Sequence, residues 1–302
     1  MSGRKKVLIT GGTGYIGSNL VSKLIVNGGI GIALVVRDLQ KAKQMFGDKV
    51  IYIKYDDLVK FNYDILKFSP EVVVHLAAYS TSSDKPEDVE KLIESNIIFT
   101  SNLLIALSKC KLKLFINTGS FSEYHNGKDT ISPTYFYSAT KTSAKYIIEY
   151  YSKKDSFRFI NTILFTVYGK KNHNKKIIDY VMDSLDSDIA VNMSDGKQIL
   201  DFVHIDDVVN LYYSLILNFE NMQISKIDYD VGTGKCISIR ELVKILERIT
   251  NKKANIAWGA NKSRKLDTVK ACADIEMSKN ELDYKVSVSL KDGLNKYIES
   301  KI

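Results

Sequence analysis

The stretch ITGGTGYIG, residues 9–17, constrains this chain more than any other. It follows the short apolar run Val7-Leu8-Ile9, which reads as a strand. It opens into apolar positions at Ile16, Leu20, Leu24 and Ile25, which is helical spacing. Glycines fall at Gly11, Gly14 and Gly17. Glycine is needed where a strand turns sharply into a helix and the backbone must lie against a phosphate group. The helix start then offers free N–H groups and a positive dipole end to that phosphate. A bland glycine turn would satisfy the spacing alone. The strand before it and the helix after it favour the phosphate-binding reading.

A chain of 302 residues is long enough for one large α/β domain plus a smaller lobe, and 45% apolar residues give it a sizeable core. No apolar run approaches the ~20 residues of a membrane span. The opening MSGRKK leads straight into the first strand, an expectation of no signal peptide. Cys110, Cys236 and Cys272 are scattered without metal spacing or even pairing, which points to a reducing cytoplasm and no metal. The net charge is +8, but the lysines are dispersed rather than gathered into a stripe. That pattern argues against a nucleic-acid partner.

Strands and helices alternate down the chain. Residues 30–36, 49–55, 72–78, 113–117 and 159–165 read as strands, and 86–110 and 138–153 as helices. Carbonyl reduction needs a proton donor, and a free tyrosine with pKa ~10 is a poor one near neutrality. A lysine one helical turn away, at i+4, lowers the phenol pKa. Tyr-x-x-x-Lys occurs at Tyr63/Lys67, Tyr124/Lys128, Tyr137/Lys141, Tyr150/Lys154 and Tyr297/Lys301, so spacing alone selects none of them. His75 lies inside an apolar strand and reads as a hydrogen-bonded structural histidine.

The Gly-x-x-Gly-x-x-Gly turn resembles that of the short-chain dehydrogenase/reductase superfamily, especially its extended branch of epimerases and dehydratases acting on nucleotide sugars. The resemblance extends through His75-Leu76-Ala77-Ala78, Asn96, Tyr168-Gly169, DFVHIDDVVN at 201–210 and DYDVGTG at 228–234. It implies a Rossmann-type, doubly wound parallel sheet over residues 1–169 plus about 201–235. A smaller C-terminal substrate-binding lobe would take about 170–200 plus 236–302. The family places its tyrosine–lysine pair at a helix start after a proline. Pro133 therefore selects Tyr137 and Lys141, with Tyr135 close by. The family's third group is a hydroxyl four residues before a tyrosine, so Tyr124 selects Ser120, with Thr118 and Ser122 as competitors.

The resemblance further implies a dinucleotide held by Gly11, Gly14, Tyr15, Ile16, Gly17, Asp57, Leu58, Leu76, Ala77, Ala78, Asn96, Tyr137 and Lys141. Arg37 ends the second strand, where an arginine suits the 2′-phosphate of NADP(H) better than the 2′-hydroxyl of NAD(H), which stays possible. Dehydratases of the family carry Asp-Glu after the catalytic hydroxyl. This chain has Phe121-Ser122, and Glu123 comes one residue too late and is expected to point elsewhere. Leu200 stands where relatives hold a diphosphate with arginine, so that role is expected of Arg264. Ser120, Tyr137 and Thr166 complete the expected substrate contacts. Motifs such as DFVHIDDVVN and DYDVGTG are similar to CDP-abequose/paratose synthases, NADPH-dependent 4-keto reductases that make deoxysugars for surface polysaccharide such as O-antigen. A 4-epimerase with the same three residues and a non-enzymatic dinucleotide sensor are the alternatives. Apolar and aromatic residues on the two long helices, including Ile97, Ile98, Phe99, Tyr146, Ile147 and Tyr150, imply a homodimer through a four-helix contact.

Overall fold

A computed structural model describes residues 4–125, 130–170, 175–262 and 264–300. The first half alternates, with two helices between its fourth and fifth strands. β1 (Lys6–Thr10), β2 (Gly31–Val36), β3 (Ile51–Lys54), β4 (Val72–His75), β5 (Leu114–Ser120) and β6 (Arg158–Leu164) are strands. Between them run α1 (Tyr15–Asn27), α2 (Leu39–Phe46), α3 (Leu58–Phe68), α4 (Pro86–Ile93), α5 (Phe99–Leu107) and α6 (Phe136–Asp155). The expected helix over 86–110 is thus two helices, joined by one π-helical turn at Glu94–Ile98.

The second half threads between the main sheet and two smaller ones. In order it holds β7 (Thr166–Tyr168), α7 (Ile177–Leu185), β8 (Val191–Met193), β9 (Ile199–His204), α8 (Ile205–Asn218) and β10 (Asp228–Val231). It continues with β11 (Cys236–Ser238), α9 (Ile239–Thr250), β12 (Ile256–Trp258), β13 (Lys270–Ala271), α10 (Glu276–Leu282) and α11 (Leu290–Glu299).

The main sheet has seven parallel strands in the order β10-β6-β5-β4-β1-β2-β3. Its two faces separate by strand alternation. Val7, Ile9, Leu34 and Val74 pack with Leu20 and Leu24 of α1 and Val208 and Leu215 of α8. Leu8, Ala33, Val35 and Val73 point the other way, onto Phe61 and Ile65 of α3 and Leu103 and Leu104 of α5. Both faces are covered, as an all-parallel sheet requires. This is the expected doubly wound α/β architecture. The strand order reverses between β1 and β4, and a ligand crevice belongs at the carboxyl ends of those strands.

Two features differ from the sequence reading. β7 and β9 fall within the span expected to build the large domain, yet they join β11 and β13 in a separate four-stranded sheet. α8 and β10 do return to the main sheet, with α8 against α1. The cysteines also differ. Cys236 and Cys272, 36 residues apart in sequence, form a disulfide, and Cys110 is free. β11 and β13 flank β9, so the smaller sheet brings their ends together, a proximity that linear spacing hides. The pairing removes the cysteine argument for a reducing compartment. No helix among the described residues is long and apolar enough to cross a membrane.

Candidate active site

The glycine turn joins β1 to α1 at the strand-order reversal. Gly11 has φ +68°, and a Cβ there would lie 2.7 Å from the Ala77 nitrogen in the loop after β4. A Cβ on Gly17 would lie 2.2 Å from the Gly11 carbonyl oxygen. Both positions require glycine, because the obstacles are backbone. Gly14 is less constrained, with one contact at 3.2 Å. Gly14 begins α1 with no side-chain cap, and the first turn carries no acid. The N–H groups and positive end of α1 are therefore not neutralised by the chain's own side chains, which suits a dinucleotide phosphate. Tyr15 and Ile16 open this helix. Arg37 is exposed at the end of β2.

Thr10 ties the two loops. Its hydroxyl accepts the Ala77 N–H (3.1 Å) and donates to His75 Nδ1 (2.8 Å). His75 Nε2 then donates to Thr100 Oγ1 (3.0 Å), whose own proton goes to the Asn96 carbonyl. Both ring nitrogens are occupied, and burial pushes the His75 pKa down to about 3, with Lys141 contributing. His75 is a neutral structural residue, as its apolar strand implied.

Of the three residues selected from sequence, Ser120 stands at the end of β5, and Tyr137 and Lys141 stand near the start of α6. Ser120 closes β5 and caps a 3-10 turn, Phe121–Glu123. Ser138 Oγ donates to Ser122 Oγ (2.8 Å), which lies 2.8 Å from Ser120 Oγ. The three hydroxyls of Ser138, Ser122 and Ser120 thus form one chain that ends at Ser120. Ser122 is thus linked to Ser120 by side chain, a role its placement as a competing hydroxyl did not suggest. Thr118 is turned away, onto the Tyr212 hydroxyl (2.7 Å).

Tyr137 and Lys141 lie one turn apart on α6. Burial and the charge of Glu123 push the Tyr137 phenol up to about 12, against a hydrogen bond with Ser80. The expectation that Lys141 leaves this phenol more acidic is not met, because burial and the Glu123 charge set the direction. Lys141 itself is 3% exposed, and burial brings its ammonium down to about 8. Glu123, expected to point elsewhere, turns inward. Its Oε1 accepts the Ser120 N–H (2.8 Å), and its Oε2 accepts the Thr142 hydroxyl (2.9 Å).

Other expected contacts are more mixed. Asn96 is buried, and its amide is committed to the chain itself. It accepts from the Tyr79 N–H and donates to the Tyr79 carbonyl and Thr140 Oγ1. It fastens the β4 loop to α6 rather than presenting a free group to a coenzyme. Asp57 caps α3 by accepting the Lys60 N–H, and Leu58 beside it is half exposed. Leu76, Ala77 and Ala78 line the loop that meets Gly11. Thr166 begins β7, half-buried. Arg264 donates to Ser82 Oγ (2.6 Å) and stacks over the Tyr135 ring, while Tyr135 donates to Asp267 (3.0 Å). The segment carrying Arg264 therefore reaches across to the Tyr137 side of the cleft. Leu200 is buried. Of the rival tyrosine–lysine pairs, Lys128 and Lys301 lie outside the described residues. Tyr63 and Tyr150 are exposed on α3 and late α6.

A family model described as NAD dependent epimerase/dehydratase matches residues 7–232. The chain belongs to this family. It is accordingly a nicotinamide-dinucleotide enzyme of the extended short-chain dehydrogenase/reductase kind. This epimerase/dehydratase family member is 28% identical over 98% of its length to a CDP-abequose synthase of Yersinia pseudotuberculosis, covering 99% of that protein. The fold matches a UDP-glucose 4-epimerase of Thermotoga maritima solved with UDP-glucose, at TM-score 0.84 and 24% identity, over 98% of each chain. It also matches a Bacillus cereus UDP-glucuronic acid 4-epimerase solved with UDP-glucuronic acid and NAD, at TM-score 0.82 and 25% identity, again over 98% of each.

Two features of this region were missed from sequence, and one of them had a signal. Ser120-x-x-Glu123 is a capping-box pattern, which read locally would have turned the carboxylate back onto Ser120. The pairing of Ser122 with Ser138 had no sequence signal, since it depends on how the turn meets α6.

Proposed function

We propose that this enzyme reduces the 4-keto group of a nucleotide-linked 4-keto-6-deoxy sugar, in deoxysugar synthesis for surface polysaccharide. The observation that carries the reading is that Phe121 and Ser122 follow Ser120 where an acid/base carboxylate pair would be needed for dehydration, while Ser120, Tyr137 and Lys141 supply the groups that ketone reduction needs. The likeness to CDP-abequose synthase along the whole chain supports the same reading. A bound nicotinamide coenzyme supplies the hydride. Gly11, Gly14 and Gly17 hold its pyrophosphate against the start of α1, and Leu76, Ala77 and Ala78 let it pass close. Arg37 favours a 2′-phosphate, hence NADP(H). Ser120 donates a hydrogen bond to the ketone oxygen and orients it. Tyr137 gives that oxygen its proton. Lys141 holds the ribose and keeps a positive charge beside the phenol. Thr166 and Arg264 hold the sugar nucleotide, with Arg264 in the place of the phosphate-binding arginine absent at Leu200.

The second reading is a nucleotide-sugar 4-epimerase, favoured by the solved 4-epimerases of the same fold. NADPH oxidation against a panel of 4-keto nucleotide sugars separates the two. Stoichiometric NADPH consumption supports the reductase, and interconversion of two sugars without net consumption refutes it. We also propose a twofold dimer. Ile98 (42% exposed), Ile105 (50%), Tyr146 (54%) and Tyr150 (61%) remain on the outer faces of α5, α6 and the turn before α5, which supports a helix-to-helix contact. Light scattering showing a monomer at micromolar concentration refutes it.

A further inference from the structure

Glu123 is 3% exposed, and the chemistry assigned above does not use it. A buried carboxylate is costly unless its oxygens are satisfied. Here each oxygen has a different partner. Oε1 takes the backbone N–H of Ser120, closing the capping box of the 3-10 turn. Oε2 takes the hydroxyl of Thr142, the residue after Lys141. A local capping box needs only the first of these contacts. The second spans from the end of β5 to α6. The room for it is tight, since a Cβ on Gly119 would lie 3.1 Å from Oε1.

We propose that Glu123 is a positioning residue: its carboxylate ties the strand end that carries Ser120 to the helix that carries Tyr137 and Lys141, and sets one negative charge beside that pair. The proposal rests on Ser120, Tyr137 and Lys141 being the reacting site. The charged and titratable groups facing Glu123 are Tyr137, Lys141 and Lys145 on α6 and Tyr124 after the turn. Behind them on β10 stand Asp228, ion-paired with Lys145, and Asp230. Burial raises the Glu123 pKa, while the Ser120 N–H, the Thr142 hydroxyl, Lys141 and Lys145 favour its ionised form. In return its charge favours the ammonium of Lys141 and the neutral phenol of Tyr137. Both are the forms that a proton-donating site requires.

Two substitutions separate the charge from the tie. Glu123→Gln keeps the shape and both contacts, with its carbonyl on the Ser120 N–H and its amide on the Thr142 oxygen, but loses the charge. Thr142→Val keeps the charge and loses the tie. The fluorescence of bound NADPH, titrated from pH 6 to pH 10, reads the Lys141 charge without any substrate. In Glu123→Gln the midpoint at which affinity falls should move down by ~1 pH unit, because Lys141 loses the favourable charge of Glu123. In Thr142→Val the midpoint should stay, while kcat falls about tenfold or more through misalignment, with KM nearly unchanged. Thr142→Ser should restore kcat.

A capping role alone would change thermal stability and nothing else. An unmoved midpoint in folded Glu123→Gln overturns the proposal. So does full kcat in Thr142→Val, a result that stands even if Glu123→Gln fails to fold. If the unaltered enzyme reduces no 4-keto sugar yet its midpoint moves in Glu123→Gln, the substrate reading fails and the role of Glu123 beside Lys141 is upheld.

Discussion

Gly17→Ala tests the phosphate-binding turn most directly. The added methyl would sit 2.2 Å from the Gly11 carbonyl oxygen, 2.8 Å from Gly12 Cα and 2.9 Å from the Gly11 carbonyl carbon. All three atoms are backbone, so the turn must move by about 1 Å to reach ordinary contact. Gly11 has little room to recoil, because it already packs on Ala77 with φ +68°. Crowding of this kind costs about 1–3 kcal/mol. Alanine in a helix returns about 1 kcal/mol against glycine. The net loss of stability should therefore be only about 0–2 kcal/mol, and the variant should fold. Coenzyme affinity should suffer more. One N–H bond to a charged phosphate contributes about 1.5–3 kcal/mol, so losing one weakens binding ~10- to 150-fold. Nicotinamide fluorescence measures the affinity, and a thermal melt with and without coenzyme measures the rest. Gly14→Ala, with one contact at 3.2 Å, is the milder comparison. Wild-type coenzyme affinity in Gly17→Ala would refute the close-approach reasoning.

Tyr137→Phe should lower turnover by ~10²–10⁴ with little change in coenzyme affinity, and a rate within tenfold of wild type would displace Tyr137 as the proton donor. Lys141 has a folded pKa of about 8 against 10.5 unfolded, so above pH 8 the unfolded chain binds more protons. Its burial penalty is full below pH 8 and relieved as pH rises toward 10.5, so stability should gain over pH 8–10 and Lys141→Met should lack that gain in denaturant titrations. The Cys236–Cys272 bridge closes a loop with a sequence separation of 36, so Cys236→Ser should cost about 2–4 kcal/mol of unfolding free energy, and a reductant that leaves the wild-type melt unchanged would contradict the pairing.

The glycine turn was legible because close backbone approach leaves its mark directly in residue type. A side chain at Gly11 or Gly17 would meet backbone. Tyr137 and Lys141 were legible only through context, since five pairs share their spacing. The alternating strands were legible because burial on both faces gives continuous apolar runs. What stayed hidden depends on where the chain goes next. Cys236 and Cys272 meet only after β11 and β13 settle on either side of β9. Asn96 looked like a coenzyme contact until the loop at Tyr79 and the helix at Thr140 took up its amide. Glu123 was judged by its offset from a family position, whereas its direction is set by a 3-10 turn that tightens just there.

The way the second half of the chain weaves between the sheets has an evolutionary consequence. β7, β9, β11 and β13 lie on the far side of the cleft, while α8 and β10 between them belong to the coenzyme side. Asp201 on β9 accepts from Thr233, Gly234 and Ala273, knotting the return from β10 onto the strand it left. A lobe stitched in this manner is not a cassette. It could not be exchanged whole for that of another enzyme, because every cut would sever a crossing that the main sheet needs. New preferences would therefore arise by replacing single side chains within a framework that stays in place.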